Sequence, residues 1–134
     1  LVLVAEPSHP LAGQRNISPQ KLRDEPFILR EPGSGTRLTT ERFFAQHGFT
    51  PINRLEVGSN EAIKQTVAGG LGLAVLSATT VVSELALGEL VQLDVSGFPL
   101  IRRWQVVYPR GKRLSPTAQA FKQWLYDHRP ADLS

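Results

Sequence analysis

Short candidate strands that alternate with candidate helices are the feature that most constrains how this chain can fold. Strands are predicted at 27–29, 53–57 and 73–76, and stretches with helical character, 36–46 and 61–68, separate them. Glycine-containing turns of a few residues connect the strands to the helices that follow. Strands that alternate with helices through short connections are typical of an α/β fold with a mainly parallel sheet, so we predict that fold class.

The same patterns predict the remaining elements. Leu1–Ala5 is an unbroken apolar run, which indicates a strand buried on both faces. Ser-Pro pairs at 18–19 and 115–116 place a capping hydroxyl before a first-turn proline, and predict a short helix and a C-terminal helix. We also predict a helix over 80–87, strands over 90–95 and 104–108, and an aromatic core formed by Trp104, Tyr108, Phe121 and Trp124.

The composition is that of a globular protein and excludes several kinds of site. The chain has 134 residues, 41% of them hydrophobic and 20% charged, which excludes an intrinsically disordered chain. The formal net charge of +3 is too small and too scattered to predict nucleic-acid binding by this segment. Cysteine is absent, which excludes disulfides and a cysteine nucleophile. The densest basic cluster is expected to be a solvated surface, with an anionic partner as the alternative: Arg102, Arg103, Arg110, Lys112 and Arg113.

The stretch 65–83 carries no charge, but it does not predict a membrane span. It contains three glycines and six Ser, Thr and Gln residues, so a buried helix-turn-strand-turn unit explains it better. No membrane partner is expected. The chain starts directly with a strand and without Met, which favours a start inside a longer polypeptide, with a processed mature protein as the alternative.

The turn at 33–37 is the most distinctive local feature of the sequence. Its two glycines allow a ligand to approach the backbone closely, and Ser34 and Thr36 supply hydroxyl groups. The free N–H groups of the first helical turn carry partial positive charge, which stabilises an anion. Arg37 and the preceding Arg30 could pair with a carboxylate or a phosphate. The alternative is a structural turn in which Ser34 caps the helix and the arginines are solvated.

A second turn, Gly58-Ser59-Asn60, has residues of the same kind but fewer of them. Ser59 or Asn60 can cap the following helix, and either side chain could instead bind a ligand. Consecutive parallel strands bring successive helix N-termini to the same edge of a sheet. We therefore expect the two turns to line one crevice.

A catalytic or metal-binding constellation is not found in the sequence. His9, His47 and His128 lack metal-binding spacing and are expected to be ordinary surface or partly buried side chains. Asp24 and Glu25 fit a polar turn better than an acid/base pair. A Walker loop, a dinucleotide-binding glycine fingerprint and a nucleophile elbow are all missing, so we predict no metal, no cofactor and no enzymatic activity.

Several segments, in this order along the chain, resemble LysR-type transcriptional regulators. Residues 27–37, 55–65 and 70–77 are similar to successive segments of the second subdomain in that family, most closely in the subgroup that regulates carbon-fixation operons. Residues 5–12 resemble the strand and loop that cross from the first subdomain, and 104–125 resemble the return strand and closing helix.

The resemblance implies an effector-binding domain with the fold of type 2 periplasmic binding proteins, in which two α/β subdomains hold a small ligand between them. Residues 1–5 would be a crossover strand that belongs partly to subdomain I, and 6–98 would form subdomain II. Residues 99–134 would be the return strand and C-terminal helix of subdomain I. Subdomain II would be essentially complete, whereas most of subdomain I and the N-terminal winged helix-turn-helix would be absent.

The family's ligand residues carry over as one wall of the cleft, at two helix starts: Ser34, Gly35, Thr36, Arg37, Ser59, Asn60 and Glu61. The implied partner is a small anionic metabolite, such as a phosphorylated sugar or an organic acid. Its binding would shift the subdomains and, through a homo-oligomer, change how the DNA-binding domains sit on a promoter. DNA would be contacted only through the missing N-terminal domain.

Two other functions share part of this chemistry. A periplasmic solute-binding protein has the same fold and predicts a signal peptide upstream. An enzyme that acts on a phosphorylated substrate could use the glycine turn as a cradle, but needs an acid/base residue that the sequence does not reveal. We expect a cytoplasmic sensor instead. Loss of subdomain I is expected to expose apolar surface on 1–5 and 104–108 and so to promote self-association.

Overall fold

A five-stranded mixed sheet organises the first of the two units of the chain, Leu1–Ile101, and the second unit is Arg102–Ser134. The computed structural model describes residues 1–103, 105–111 and 113–128. The sheet has the order β3-β2-β4-β1-β5. Its strands are β1 (Val2–Ala5), β2 (Phe27–Leu29), β3 (Arg54–Glu56), β4 (Leu73–Leu76) and β5 (Val91–Gln92).

The sheet is parallel in one half and antiparallel in the other. Strand β2 pairs in parallel with β3 and with β4, whereas β1 pairs antiparallel with β4 and β5. The predicted α/β class is confirmed, but a mainly parallel sheet holds only for β3-β2-β4. The difference arises because the entering strand β1 runs opposite to β4, with Leu3 facing Val75 in the register.

Serine hydroxyl groups start the main helices at the predicted positions. The helices are α1 (Gly35–Gln46), α2 (Asn60–Ala68), α3 (Val82–Leu87) and α4 (Pro116–Asp127), with 3-10 turns at Pro19–Leu22 and Ala78–Thr80. Ser34, Ser59 and Ser115 accept hydrogen bonds from backbone N–H groups of α1, α2 and α4, which satisfies donors that a helix start leaves free. Gly88 ends α3 in the left-handed conformation that glycine favours.

Helices α1 and α2 pack against opposite faces of the sheet. Phe44 of α1 contacts Phe27 of β2 with ring centroids 4.8 Å apart, in a core that also contains Leu3 and Val75. Ile63 and Val67 of α2, as predicted, are buried, but in a second core with Val2, Val4, Ile28, Ala74 and Leu76. Alternate residues of the same strands therefore serve two separate cores.

The uncharged stretch 65–83 is flanked by two charges that pair with each other. Lys64 Nζ on α2 lies 2.7 Å from Glu84 Oε1 on α3 and 2.9 Å from Glu61 Oε2. The Lys64 side chain is only 8% exposed, and Glu84 Oε2 is buried without a hydrogen-bond partner among the described residues. Within the described part of the chain, no helix is long and apolar enough to cross a membrane.

Three expectations about strands are wrong. The strand predicted over 90–95 is reduced to β5, because Val95 instead forms a parallel bridge with Ile17. Of the strand predicted over 104–108, residues 105–108 are not in a strand, and residue 104 lies outside the described residues. Strand β1 is buried, as its apolar run predicts, so the expected exposure of apolar surface on 1–5 is wrong, because β4 and β5 flank it.

The predicted C-terminal aromatic core is not present either. Tyr108, Phe121 and Trp124 are 48%, 61% and 53% exposed, while Trp104 lies outside the described residues. The rings of the helix interact locally instead: Trp124 stacks on His128 with centroids 4.5 Å apart. Helical spacing correctly predicts that α4 forms, but its aromatic side chains are not buried.

The Lys64–Glu84 pair predicts a pH-dependent stability. The hydrogen bond from Lys64 holds the pKa of Glu84 below its ordinary value of 4.5. The contribution of the carboxylate is therefore fully present above pH 4.5 and is lost as the pH falls through the lowered pKa. We expect Glu84→Gln to reduce the free energy of unfolding at neutral pH, and the difference from wild type to shrink in acid, as measured by urea denaturation.

The matched control is Glu89→Gln, which removes an exposed carboxylate that makes no ion pair among the described residues. This variant should change the free energy of unfolding little at any pH. A difference between Glu84→Gln and wild type that stays constant down to strong acid would contradict the role of the Glu84 charge.

Candidate functional site

The candidate site lies at the carboxyl edge of the parallel half of the sheet. Strands β2, β3 and β4 all end there, because they run in the same direction. Helix α1 starts six residues after β2 ends, and α2 starts four residues after β3 ends. Although the two helices cover opposite faces, their positive N-terminal ends are therefore brought to one edge, as expected for ligand sites in such sheets.

The first turn, 33–37, is built as the sequence predicts. Gly33 has φ +91°, a conformation that favours glycine, and it directs the chain into the helix. Ser34 Oγ accepts the backbone N–H of Arg37 at 3.5 Å. Gly35 and Thr36 are the first two residues of α1, and Thr36 is half-buried.

Arg37 is held by carboxylates of the same region. Its Nε donates to Glu41 Oε1 at 2.8 Å, and its Nη1 donates to Glu56 Oε2 at 2.6 Å and to the Arg30 carbonyl oxygen at 3.1 Å. Hydrogen bonds to Glu41 and Glu56 raise the pKa of Arg37 above its already high value, so it is always charged. No hydrogen bond from Nη2 to another described residue is formed, which leaves two N–H donors available.

Arg30 connects the two turns. Its Nε and Nη2 donate to the two oxygens of Glu31 at 2.7 and 2.8 Å, and its Nη1 donates to Asn60 Oδ1 at 2.7 Å. Arg30 lies just after β2, and Asn60 is the first residue of α2. Arg30 thus joins the end of β2 to the start of α2, whereas the expectation that the two turns line one crevice and bind a ligand stays a prediction.

The second turn presents an amide and a carboxylate. Ser59 Oγ accepts the N–H of Ala62 at 3.4 Å, so this hydroxyl caps α2. Asn60 uses its carbonyl oxygen for Arg30, which leaves the Nδ2 group as a donor. Glu61 is exposed, and its carboxylate is paired with Lys64 at 2.9 Å. Because it is paired with Lys64, the Glu61 carboxylate repels a bound anion less than an unpaired carboxylate would.

The charges at the edge are paired with one another, with one carboxylate in excess. Two guanidinium groups, Arg30 and Arg37, meet three carboxylates, Glu31, Glu41 and Glu56. The hydrogen bond from Arg30 lowers the pKa of Glu31, so this carboxylate is ionised at neutral pH. An anion that binds here has to compete with the protein's own carboxylates for Arg37.

A shallow depression adjoins the first turn. It has a volume of about 260 Å³ and is lined by Ser34, Arg37, Leu38 and Glu41, together with Pro32 and Gly33. Ser77 and Thr79, which sequence reasoning missed, follow β4 at the same edge, with their hydroxyl oxygens 2.9 Å apart. The signal that could have found them is a hydroxyl residue directly after an apolar strand.

The histidines form no metal site. His9 Nε2 lies 3.3 Å from Glu25 Oε2, and His47 and His128 each contact a carbonyl oxygen of their own helix. Residues 1–103, 105–111 and 113–128 contain no cluster of three His, Cys, Asp or Glu side chains that could hold a metal ion. The basic cluster around Arg110 and Arg113 lies apart in sequence from the two turns, and Lys112 is outside the described residues.

Comparison with known proteins gives consistent results. The family called LysR substrate binding domain matches residues 1–130. A RuBisCO operon transcriptional regulator of Acidithiobacillus ferrooxidans is 60% identical over 94% of this chain and 41% of its own length. The transcriptional activator CmpR of Synechocystis is 44% identical over 98% of this chain and 43% of its own length. The chain thus spans about two fifths of the length of these relatives.

Solved structures agree with the fold. The regulatory domain of CcmR from Synechocystis, in complex with 2-PG, is 50% identical with a TM-score of 0.86, over 97% of this chain and 64% of that domain. The effector binding domain of QuiR, in complex with shikimate, shows the fold alone, at 23% identity and a TM-score of 0.71 over 95% of this chain and 61% of that domain. The periplasmic-binding-protein-like fold that the sequence predicted is confirmed. This chain belongs to the LysR substrate-binding-domain family.

Proposed function

We propose that this chain is the effector-sensing part of a LysR-type transcriptional regulator, and that it binds a small anionic metabolite at the carboxyl edge of β2 and β3. The observation that carries the proposal is the pair of hydrogen bonds of Arg30, whose side chain donates to Asn60 at 2.7 Å and whose carbonyl oxygen accepts from Arg37 at 3.1 Å, so that it contacts residues at both helix starts. Either N-terminus alone is a common structural feature. Where two helix N-termini face one edge, the partial positive charges of both stabilise a negative charge in the same region.

The groups available at this edge suit an oxyanion. The backbone N–H groups of the first turns, the Nη2 group of Arg37 and the amide of Asn60 are donors, and Ser34 and Thr36 contribute hydroxyl groups. Phosphate and carboxylate oxygens accept such bonds. The 50% identical CcmR domain binds 2-PG. We infer that the ligand of this chain has the same charge class.

The carboxylates that bind Arg37 connect ligand binding to a change of contacts in the site. In the ligand-free state Glu41 and Glu56 hold Arg37, and an incoming anion competes with them. Glu56 belongs to β3 and Glu41 to α1, so a change of partner at Arg37 alters contacts between two elements. A ligand shifts a conformational equilibrium only when its affinity for the two states differs, and such an exchange of partners supplies a difference.

In the complete regulator, we propose that residues 6–98 form subdomain II, that 1–5 and 99–134 belong partly or wholly to subdomain I, and that the ligand binds between the two. Movement of the subdomains would then reach DNA through an N-terminal winged helix-turn-helix and a homo-oligomer. The relatives are transcriptional regulators, which supports sensing rather than catalysis. The ligand residues proposed are the seven at the two helix starts: Ser34, Gly35, Thr36, Arg37, Ser59, Asn60 and Glu61.

Replacement of Arg37 tests the site. We expect Arg37→Ala to weaken 2-PG binding by about tenfold or more, because a charge-assisted hydrogen bond contributes about 1.5–3 kcal/mol. Isothermal calorimetry measures the dissociation constant. The control is Arg42→Ala, which removes the same charge from an exposed position on the same helix. Equal losses in both variants, or none in Arg37→Ala, would contradict the proposal.

Replacement of Glu56 tests the competition. We expect Glu56→Gln to tighten 2-PG binding about two- to fivefold, since the variant removes a charged competitor for Arg37 that is worth up to about 1 kcal/mol. Calorimetric titration at low ionic strength is the measurement, with Glu89→Gln as the control for net charge. Unchanged or weaker binding in Glu56→Gln would show that this carboxylate does not oppose the ligand.

A further inference from the structure

We infer that Arg30 is a positioning residue of the proposed site, which fixes the start of α2 against the end of β2 and turns the amide of Asn60 so that its NH₂ group is presented to the ligand. This inference rests on the proposed function and adds a role for a residue outside the seven proposed ligand residues. It is supported by the hydrogen bonds that Arg30 forms with Glu31, Asn60 and Arg37.

The guanidinium group of Arg30 is oriented before any ligand arrives. Glu31 accepts two parallel hydrogen bonds, from Nε and Nη2, at 2.7 and 2.8 Å. A two-point contact of this kind fixes the plane of the guanidinium. The Arg30 side chain is 21% exposed, and its charge is compensated by the Glu31 carboxylate. Arg30 is therefore a rigid support.

The contact to Asn60 is the link between the start of α2 and the rest of the edge. Ser59 bonds only within its own turn, and Glu61 pairs with Lys64 on the same helix. Among the described residues, the Arg30–Asn60 bond is thus the side-chain hydrogen bond that reaches from 59–61 to another element. Helices α1 and α2 pack in separate cores on opposite faces of the shared sheet, so neither core joins the two N-termini directly.

The same bond decides which end of the Asn60 amide is free. Arginine is only a donor, so the atom that faces Nη1 at 2.7 Å has to be the carbonyl oxygen Oδ1. The two N–H groups of Nδ2 then remain for another acceptor. Without Arg30, the amide can rotate and present its oxygen, which repels an anion. The backbone carbonyl of Arg30 also accepts from Arg37, so the residue contacts both helix starts.

The experiment compares three variants by two measurements. Hydrogen exchange within 60–63, read at the amides of Ala62 and Ile63 because these two have hydrogen-bond acceptors, reports the support of α2, and calorimetry with 2-PG reports binding. We expect Arg30→Met to accelerate exchange at 60–63 and to weaken 2-PG binding about tenfold. Arg30→Lys should behave like Arg30→Met, because an ammonium group keeps the charge but cannot hold Glu31 and Asn60 in one plane.

The Asn60→Asp variant distinguishes the support of α2 by Arg30 from the donation of hydrogen bonds by the Asn60 amide. Its carboxylate still accepts from Arg30, so exchange at 60–63 should stay as in wild type, while 2-PG binding falls because the NH₂ donors are gone. Arg42→Met is the control for removal of a charge, and circular dichroism checks that every variant is folded.

The possible failures are distinguishable. Unchanged exchange at 60–63 in Arg30→Met, or full rescue of binding by Arg30→Lys, overturns the positioning role. Binding by Asn60→Asp as tight as by wild type overturns the orientation of the amide. Absence of 2-PG binding by the complete wild-type regulator overturns the proposed ligand, and the exchange measurement still shows whether Arg30 supports α2.

Discussion

The parallel pairing of β2 with β3 and β4 is the constraint on which the other features of this chain depend. It places the ends of three strands at one edge and therefore brings the starts of α1 and α2 together, although each helix is buried in a different core. Peptide dipoles of the two helices then act on the same region. The function that we propose for this edge rests on this geometry, which follows from the direction of the strands.

A second property of the edge is that its charges are already paired. Arg30 is bound by Glu31, and Arg37 by Glu41 and Glu56. Such pairs keep the arginines in place, and under the proposed function an anion has to compete with a carboxylate held at 2.6 Å.

Local features of the site could be predicted from the sequence, whereas long-range pairings could not. Capping by Ser34, and by Ser59 or Asn60, could be proposed from the sequence because a cap depends on neighbours within three residues, and the structure shows that Ser34 and Ser59 are the caps. The neutralisation of Arg37 by Glu56 depends on the register of β2 against β3, which no local pattern encodes. The burial of Lys64 likewise depends on Glu84, twenty residues away.

The failed predictions have the same physical origin. The strand at 104–108 and the aromatic core on α4 needed partners elsewhere in the chain, and the apolar residues alone do not supply them. Apolar periodicity indicates which face of an element tends to be covered, but not by what.

A titration of the ¹⁵N-labelled chain with 2-PG, followed by NMR, tests the central claim most directly. If the two helix starts form one receptor, the amide resonances at 35–37 and 60–62 shift together and fit a single dissociation constant, while those of α4 stay in place. Shifts at only one of the two starts, or two separate constants, would contradict the account.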